Sequence, residues 1–243
     1  MFGWALFSRA LFGGPLFSST LFGWPLFGWP LLGGLTMDQT ENPALAEAVF
    51  CEAVLLKSAE TVLTRTLAGA SDLQHWQHFP HGDAYDPSSG ALWFYHCHPN
   101  PAPLETADHE HGHFHLFLRP EGPKGPIHHL IGIGVDAQGQ LRRLFTVNHW
   151  VVTDDFLPAA ETIALLPRFD AHLAKPCYLV NRWLTAVVRL FEPQIINLIM
   201  ARDAALAAYG PDLRTTLADR ALETPSQIAV RLDDLARPRP NSA

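Results

Sequence analysis

Residues 111–118 read His111, Gly112, His113, Phe114, His115, Leu116, Phe117, Leu118, with histidine at every second place and a large apolar residue between. A period of two suits an extended strand, whose successive side chains leave on opposite faces; a helix would scatter the same residues around its axis. The run therefore predicts a strand over 111–118, with His111, His113 and His115 on one face and Phe114, Leu116 and Leu118 on the other. The apolar face requires a packed core. The other face carries imidazoles, and thirteen histidines are many for 243 residues.

Three more runs have strand character. Residues 91–98 contain Trp93, Phe94 and Tyr95 and end in Tyr95-His96-Cys97-His98; residues 127–135 are β-branched; residues 141–151 follow Asp136-Ala137-Gln138-Gly139-Gln140, a tight-turn signal. The last two runs should form a hairpin. The first two are joined through Pro99, Pro101 and Pro103. Antiparallel pairing in sequence order is the simplest sheet. Helical patterns flank it. One runs from an Asn42 cap and Pro43 to Gly69, followed by a loop over 71–90. A short one covers 158–166. A long apolar one spans 178–209 with a break near Pro193, two shorter helical pieces follow, and the tail 238–243 is frayed. The expected class is α+β: an antiparallel sheet of about four strands with helices packed on one face.

Residues 1–36 differ from the rest. They carry one charged side chain, Arg9, and repeat a five-residue unit (Ala10-Leu-Phe-Gly-Gly, Pro15-Leu-Phe-Ser-Ser, Thr20-Leu-Phe-Gly-Trp). Pro15, Pro25, Pro30 and several glycines interrupt any membrane helix, and no clean secretory pattern is present. The segment is expected to lie outside the fold, as a disordered low-complexity repeat or a start placed too early, with a single domain over 37–243 beginning at Met37. The chain has 17 basic and 24 acidic side chains, a net charge of −7, which disfavours a nucleic-acid binder. Three scattered cysteines fit a reducing, cytoplasmic compartment rather than a disulfide framework. No membrane partner is expected for residues 37–243.

If the two histidine-bearing strands pair, His96, His98, His111, His113 and His115 converge on one surface, with same-face neighbours about 7 Å apart along a strand and about 5 Å across it. Imidazoles are largely unprotonated at neutral pH and suit a divalent transition metal, zinc or iron. Glu110 should alternate off this face unless a bulge forms at Gly112. With His149, Asp154 and Asp155 it is a candidate for supporting the ligands or meeting substrate. Arg182, with Arg189 on the same helical face, would bind an anionic substrate or, more ordinarily, pair with Asp154 or Asp155. His75, His78 and His81 are a possible cap. One of His128 and His129 should face the site. Cys97 should point to the other side. There is no P-loop, dinucleotide fingerprint or Gly-x-Ser-x-Gly elbow.

Taken together, Tyr95-His-Cys-His98, Glu110-His-Gly-His-Phe-His-Leu-Phe117, Asn148-His-Trp-Val-Val-Thr-Asp-Asp155 and Asn181-Arg-Trp-Leu184 resemble an uncharacterised bacterial family grouped as a domain of unknown function. The resemblance covers about residues 75–200. It implies a bacterial, cytoplasmic protein and brings no activity with it. The His-x-His pairs are also similar to cupin ligands, but four strand-like runs with a helical second half do not make a double-sheeted barrel. The expected function is a metal-dependent enzyme acting on a small molecule. The alternatives are a non-catalytic metal or haem binder, a metal-free enzyme using histidine as acid or base, and a structural domain with a polar histidine face.

Overall fold

The computed structural model describes residues 42–70, 76–98 and 110–236. The repeat over 1–36, His75, the proline-rich connection and the C-terminal tail lie outside them. The described elements are, in order, α1 (Pro43–Leu56), α2 (Val62–Thr66), β1 (Phe79–Tyr85), β2 (Ala91–His96), β3 (Gly112–Leu118), β4 (His128–Val135), β5 (Leu141–Thr146), α3 (His149–Val152), α4 (Ala159–Leu165), α5 (Tyr178–Leu190), α6 (Glu192–Tyr209), α7 (Leu213–Ala218), β6 (Ser226–Ala229) and α8 (Leu232–Ala236). The sheet is antiparallel throughout and ordered β1-β2-β3-β4-β5-β6. The α+β class and the sequence-order sheet hold. The strand number rises from about four to six, because edge strands were hidden at both ends. β1 lies in the expected loop: Pro80, Gly82 and a register irregularity between Phe79 and Ala84 obscure its pattern, as edge strands allow. β6 is short and mostly exposed.

One face of the sheet meets the helices. Trp93, Tyr95, Phe114, Leu116, Ile131 and Ile133 pack with Trp183, Leu184, Val187 and Val188 of α5, and α1 adds Leu45, Ala48 and Leu55. Burying each of these large side chains stabilises the fold by about 1.5–3 kcal/mol. Asn181 fastens the layers: its side-chain oxygen accepts from Trp93 Nε1 at 2.8 Å, and its amide donates to the carbonyls of Leu173 and Lys175. Trp183 Nε1 donates to Glu52 on α1 at 2.9 Å.

The single helix expected from Asn42 to Gly69 is two. Ala59 has φ of 55°, and Thr61 starts α2 with a reciprocal cap to Thr64. The 178–209 segment breaks at Phe191, just before Pro193, and bends by 73° between α5 and α6. Among the described residues no single helix is long and apolar enough to cross a membrane. The β4–β5 hairpin turns at the expected place. Asp136 Oδ1 accepts from the Gln138 and Gln140 N–H groups at 2.9 Å each, and Gly139 takes a positive φ of 76°. β5 stops at Thr146, short of the expected 151, because Asn148 caps α3.

Candidate metal centre

The face of β2 and β3 turned away from α1 and α5 carries the histidines. Register decides which of them meet. His96 pairs directly with His113, and Phe94 with His115. His96 Nε2 and His113 Nε2 lie 2.8 Å apart; His98 Nε2, just beyond β2, is 3.4 Å from His96 Nε2. His96, His113 and His115 are all buried, and one ligand nitrogen from each lies within 4.8 Å of the others. Two nitrogens on one tetrahedral ion at about 2.0–2.1 Å stand about 3.3–3.4 Å apart, so small rotations bring these rings into ligand range. His115 Nε2 is buried without a hydrogen-bond partner. A buried ring nitrogen without a partner calls for a ligand.

The supporting contacts aim these nitrogens. His113 Nδ1 donates to Glu110 Oε1 at 2.6 Å, which turns Nε2 toward His96. Glu110 is itself gripped by Arg143, through Nε at 2.5 Å and a second nitrogen at 3.1 Å. Burial would raise the Glu110 carboxyl, but the His113 and Arg143 hydrogen bonds outweigh it and hold the pKa below its ordinary value. On the other side His115 Nδ1 pairs with His129 Nε2 at 3.1 Å. Burial drives His96 down to about 2 and His129 to about 3, and pushes His115 well below the ordinary histidine value. These rings stay neutral at physiological pH, which is the form that binds metal.

β4 makes room for this arrangement. Gly132 and Gly134 pair with His115 and His113. A Cβ on Gly132 would overlap the Phe145 ring, and one on Gly134 would overlap the Glu110 carboxylate. Two side chains thus lie over β4 where glycine permits close approach. A bulge between Leu116 and Phe117 in the β3–β4 register places His129 opposite Phe117, on the histidine face, while Leu130 joins the helix-side core.

Several expectations are corrected. His111 is not among the converging rings: β3 starts at Gly112, and the His111 Nδ1 lies 2.6 Å from the Tyr95 hydroxyl. Tyr95 occupies the space where a Cβ on Gly112 would be, so the missing side chain turns His111 away from its neighbours. Glu110 does not point away; it precedes the strand, free of its alternation, and reaches His113. Asp154 and Asp155 are structural: Asp154 accepts the His129 backbone N–H, while Asp155 accepts that of Ile127 and takes His128 Nδ1–H on its carbonyl, splicing the chain after α3 to the start of β4. Burial pushes the Asp154 carboxyl up. His149 begins α3, its N–H on Asn148 Oδ1, and its ring does not line the site. Arg182 sits in the helical layer, paired with Glu47 at 2.7 Å and Asp170 at 2.5 Å rather than with Asp154 or Asp155; Arg189 also reaches Asp170.

Of the other expectations, His78 stacks on Phe94 at 3.6 Å and lines the site, whereas His81 is exposed elsewhere. Cys97 is buried, and burial raises its thiol. A cavity of about 250 Å³ opens beside His96, His98, His113 and His115, walled by Phe94, Phe145, Val147, Trp150, Val151 and Val152. Trp76, Arg143, Phe145 and Trp150 line it too, beyond the expected site residues. No histidine pattern marks them, and only strand register and the α3 turn bring them in.

A family model described as Domain of unknown function (DUF6969) matches residues 42–230. No curated protein and no solved structure matches the chain.

Proposed function

We propose, for a chain that belongs to the family Domain of unknown function (DUF6969), that His96, His113 and His115 hold a divalent transition metal, zinc or iron, and that the centre is enzymatic and acts on a small molecule in the adjoining cavity. The observation that carries this is the trio of buried imidazoles with ligand nitrogens within 4.8 Å, one of them an unpartnered Nε2. An ion there would supply Lewis acidity or, as iron, redox chemistry. The chain's own residues do the rest. Glu110 fixes the His113 ring and His129 the His115 ring, and the Phe94 and Phe145 rings keep bulk water from the buried nitrogens. Three free, buried cysteines suit a reducing compartment, so we place the protein in a bacterial cytoplasm.

One observation favours a second reading. His98 Nε2 stands 3.4 Å from His96 Nε2, and a fourth imidazole would close the shell and make the centre a metal carrier. Elemental analysis decides both. The full chain, purified untagged and without chelator, should contain close to one zinc or iron per molecule, and His113→Ala should lose it while its circular dichroism is retained. No metal in the parent protein after reconstitution with either ion would end the proposal. Full metal retention in His98→Ala supports three ligands and an open position; loss in that variant supports the carrier.

A further inference from the structure

The cavity beside the histidines has an aromatic character that metal binding does not require. Phe94 and Phe145 are buried in its wall, and Trp76 and Trp150 also line it. An apolar cavity of about 150 Å³ takes benzene; this one, at about 250 Å³, takes one ring with a short substituent. Trp76 is the unusual member. It is 58% exposed, and its φ of 69° is a backbone conformation that bulky residues rarely adopt. Its backbone N–H is fixed on the Cys97 carbonyl at 3.1 Å, and its indole lies 4.2 Å from the His98 ring. Such a conformation persists where neighbouring contacts determine it, and here it holds an indole at the cavity.

Charge narrows the ligand further. Arg143 lines the same cavity, but its guanidinium is committed to Glu110 and Gln227. Glu223 also lines it, is exposed, and has a carboxylate without a hydrogen bond among the described residues. Among the lining residues the spare charge is therefore negative; the Arg220 guanidinium lies over Trp150, 5.4 Å from its ring, without lining the cavity. We infer that the cavity binds a small aromatic amine, with its ring stacked on Trp76 and its ammonium facing Glu223. This deepens the metal-enzyme reading and rests on it for the reaction, though not for capture of the ring.

The test is titration of the full-length protein, chelator-treated and zinc-loaded, with benzylamine, cyclohexylmethylamine and benzoate, followed by NMR of the tryptophan indole N–H signals. Benzylamine should saturate in the chelator-treated protein and bind about fivefold more tightly than cyclohexylmethylamine, since aromatic pairing adds to plain area burial. Benzoate should be weaker than both. Trp76→Ala should weaken benzylamine about tenfold, with Trp76→Phe restoring most of it, and Glu223→Gln should weaken it about threefold. Equal affinity for the two amines, insensitivity to Trp76→Ala, tightest binding of benzoate, or no saturation would each overturn the inference. Benzylamine binding as described with no metal uptake would leave this inference standing and end the metal reading; metal uptake without benzylamine binding would do the reverse.

Discussion

At Gly134 two demands meet in one place. The strand needs a residue opposite His113, and Glu110 needs to cross that residue to reach the imidazole. Only the absence of a side chain satisfies both. Gly134→Ala should therefore push the carboxylate off His113 without altering any ligand, and Glu110→Gln should remove its charge in place. Both substitutions should lower zinc affinity by about 10–100-fold, the usual effect of losing the partner that orients a ligating histidine, as read by competition with a chromogenic chelator. Unchanged affinity in both variants would show that Glu110 does not orient His113. His115 has the same design with a different partner, since its Nδ1 faces His129 rather than a carboxylate. Part of this was legible in sequence: the alternation of His113 and His115 and the matching run at His96 predict a shared face. The turning away of His111 was not, because it depends on the Tyr95 hydroxyl filling the gap left by Gly112.

Among the elements, α3 has the greatest effect on the site for its length. It is one turn, it carries Trp150, Val151 and Val152 into the cavity lining, and it exists because Asn148 stops β5. Asn148 is fully buried. Its oxygen accepts the His149 N–H at 2.9 Å, and its amide donates to Thr216 at 2.8 Å and Leu222 at 3.0 Å, which anchors the segment leading to Glu223. Asn148→Ala would remove one of the two donors on each of these carbonyls, leaving Thr216 with the Asp219 N–H and Leu222 with the Trp150 indole, and would leave α3 without its cap. The expected loss is about 2–4 kcal/mol by urea denaturation, with a parallel drop in benzylamine binding as Trp150 and Glu223 shift. A loss below about 0.5 kcal/mol would mean water replaces those bonds. Elements were legible where they were periodic. The central strands, the hairpin turn and the break before Pro193 follow from pattern. β1 and β6 are short or irregular edge strands and give no alternation to read.

Across the whole molecule, stability should depend on acid through Asp86, which ties the β1–β2 turn to the chain before α5. Its carboxylate accepts from the Ser88 N–H at 2.9 Å, the Ser88 hydroxyl at 2.6 Å and the His172 N–H at 2.8 Å. Burial opposes the charged form, but these bonds outweigh it and hold the pKa below its ordinary value. A carboxyl depressed in the folded state contributes stability in full above its unfolded value of about 3.9, and that contribution fades as pH falls through the folded value. Asp86→Asn should therefore cost about 1–2 kcal/mol at pH 7, and the gap to the parent protein should close below about pH 4 in urea unfolding. A gap independent of pH would show that the charge of Asp86 is not what holds the turn.

The sequence by itself determined the class, the strand order and the existence of a histidine face, because side-chain periodicity and turn residues act locally. Arg182 shows where that reach ends: its partners, Glu47 on α1 and Asp170, lie on segments remote in the chain, and nothing local names them. The tertiary structure alone decided which histidines meet. A single bulge opposite Leu116 and Phe117 turned His129 toward His115, and glycines on β4 let Glu110 and Phe145 reach the same face. The physical reason is that a strand fixes the direction of each side chain by its own geometry, whereas convergence on one point depends on register between strands, and register is set by packing across the whole sheet.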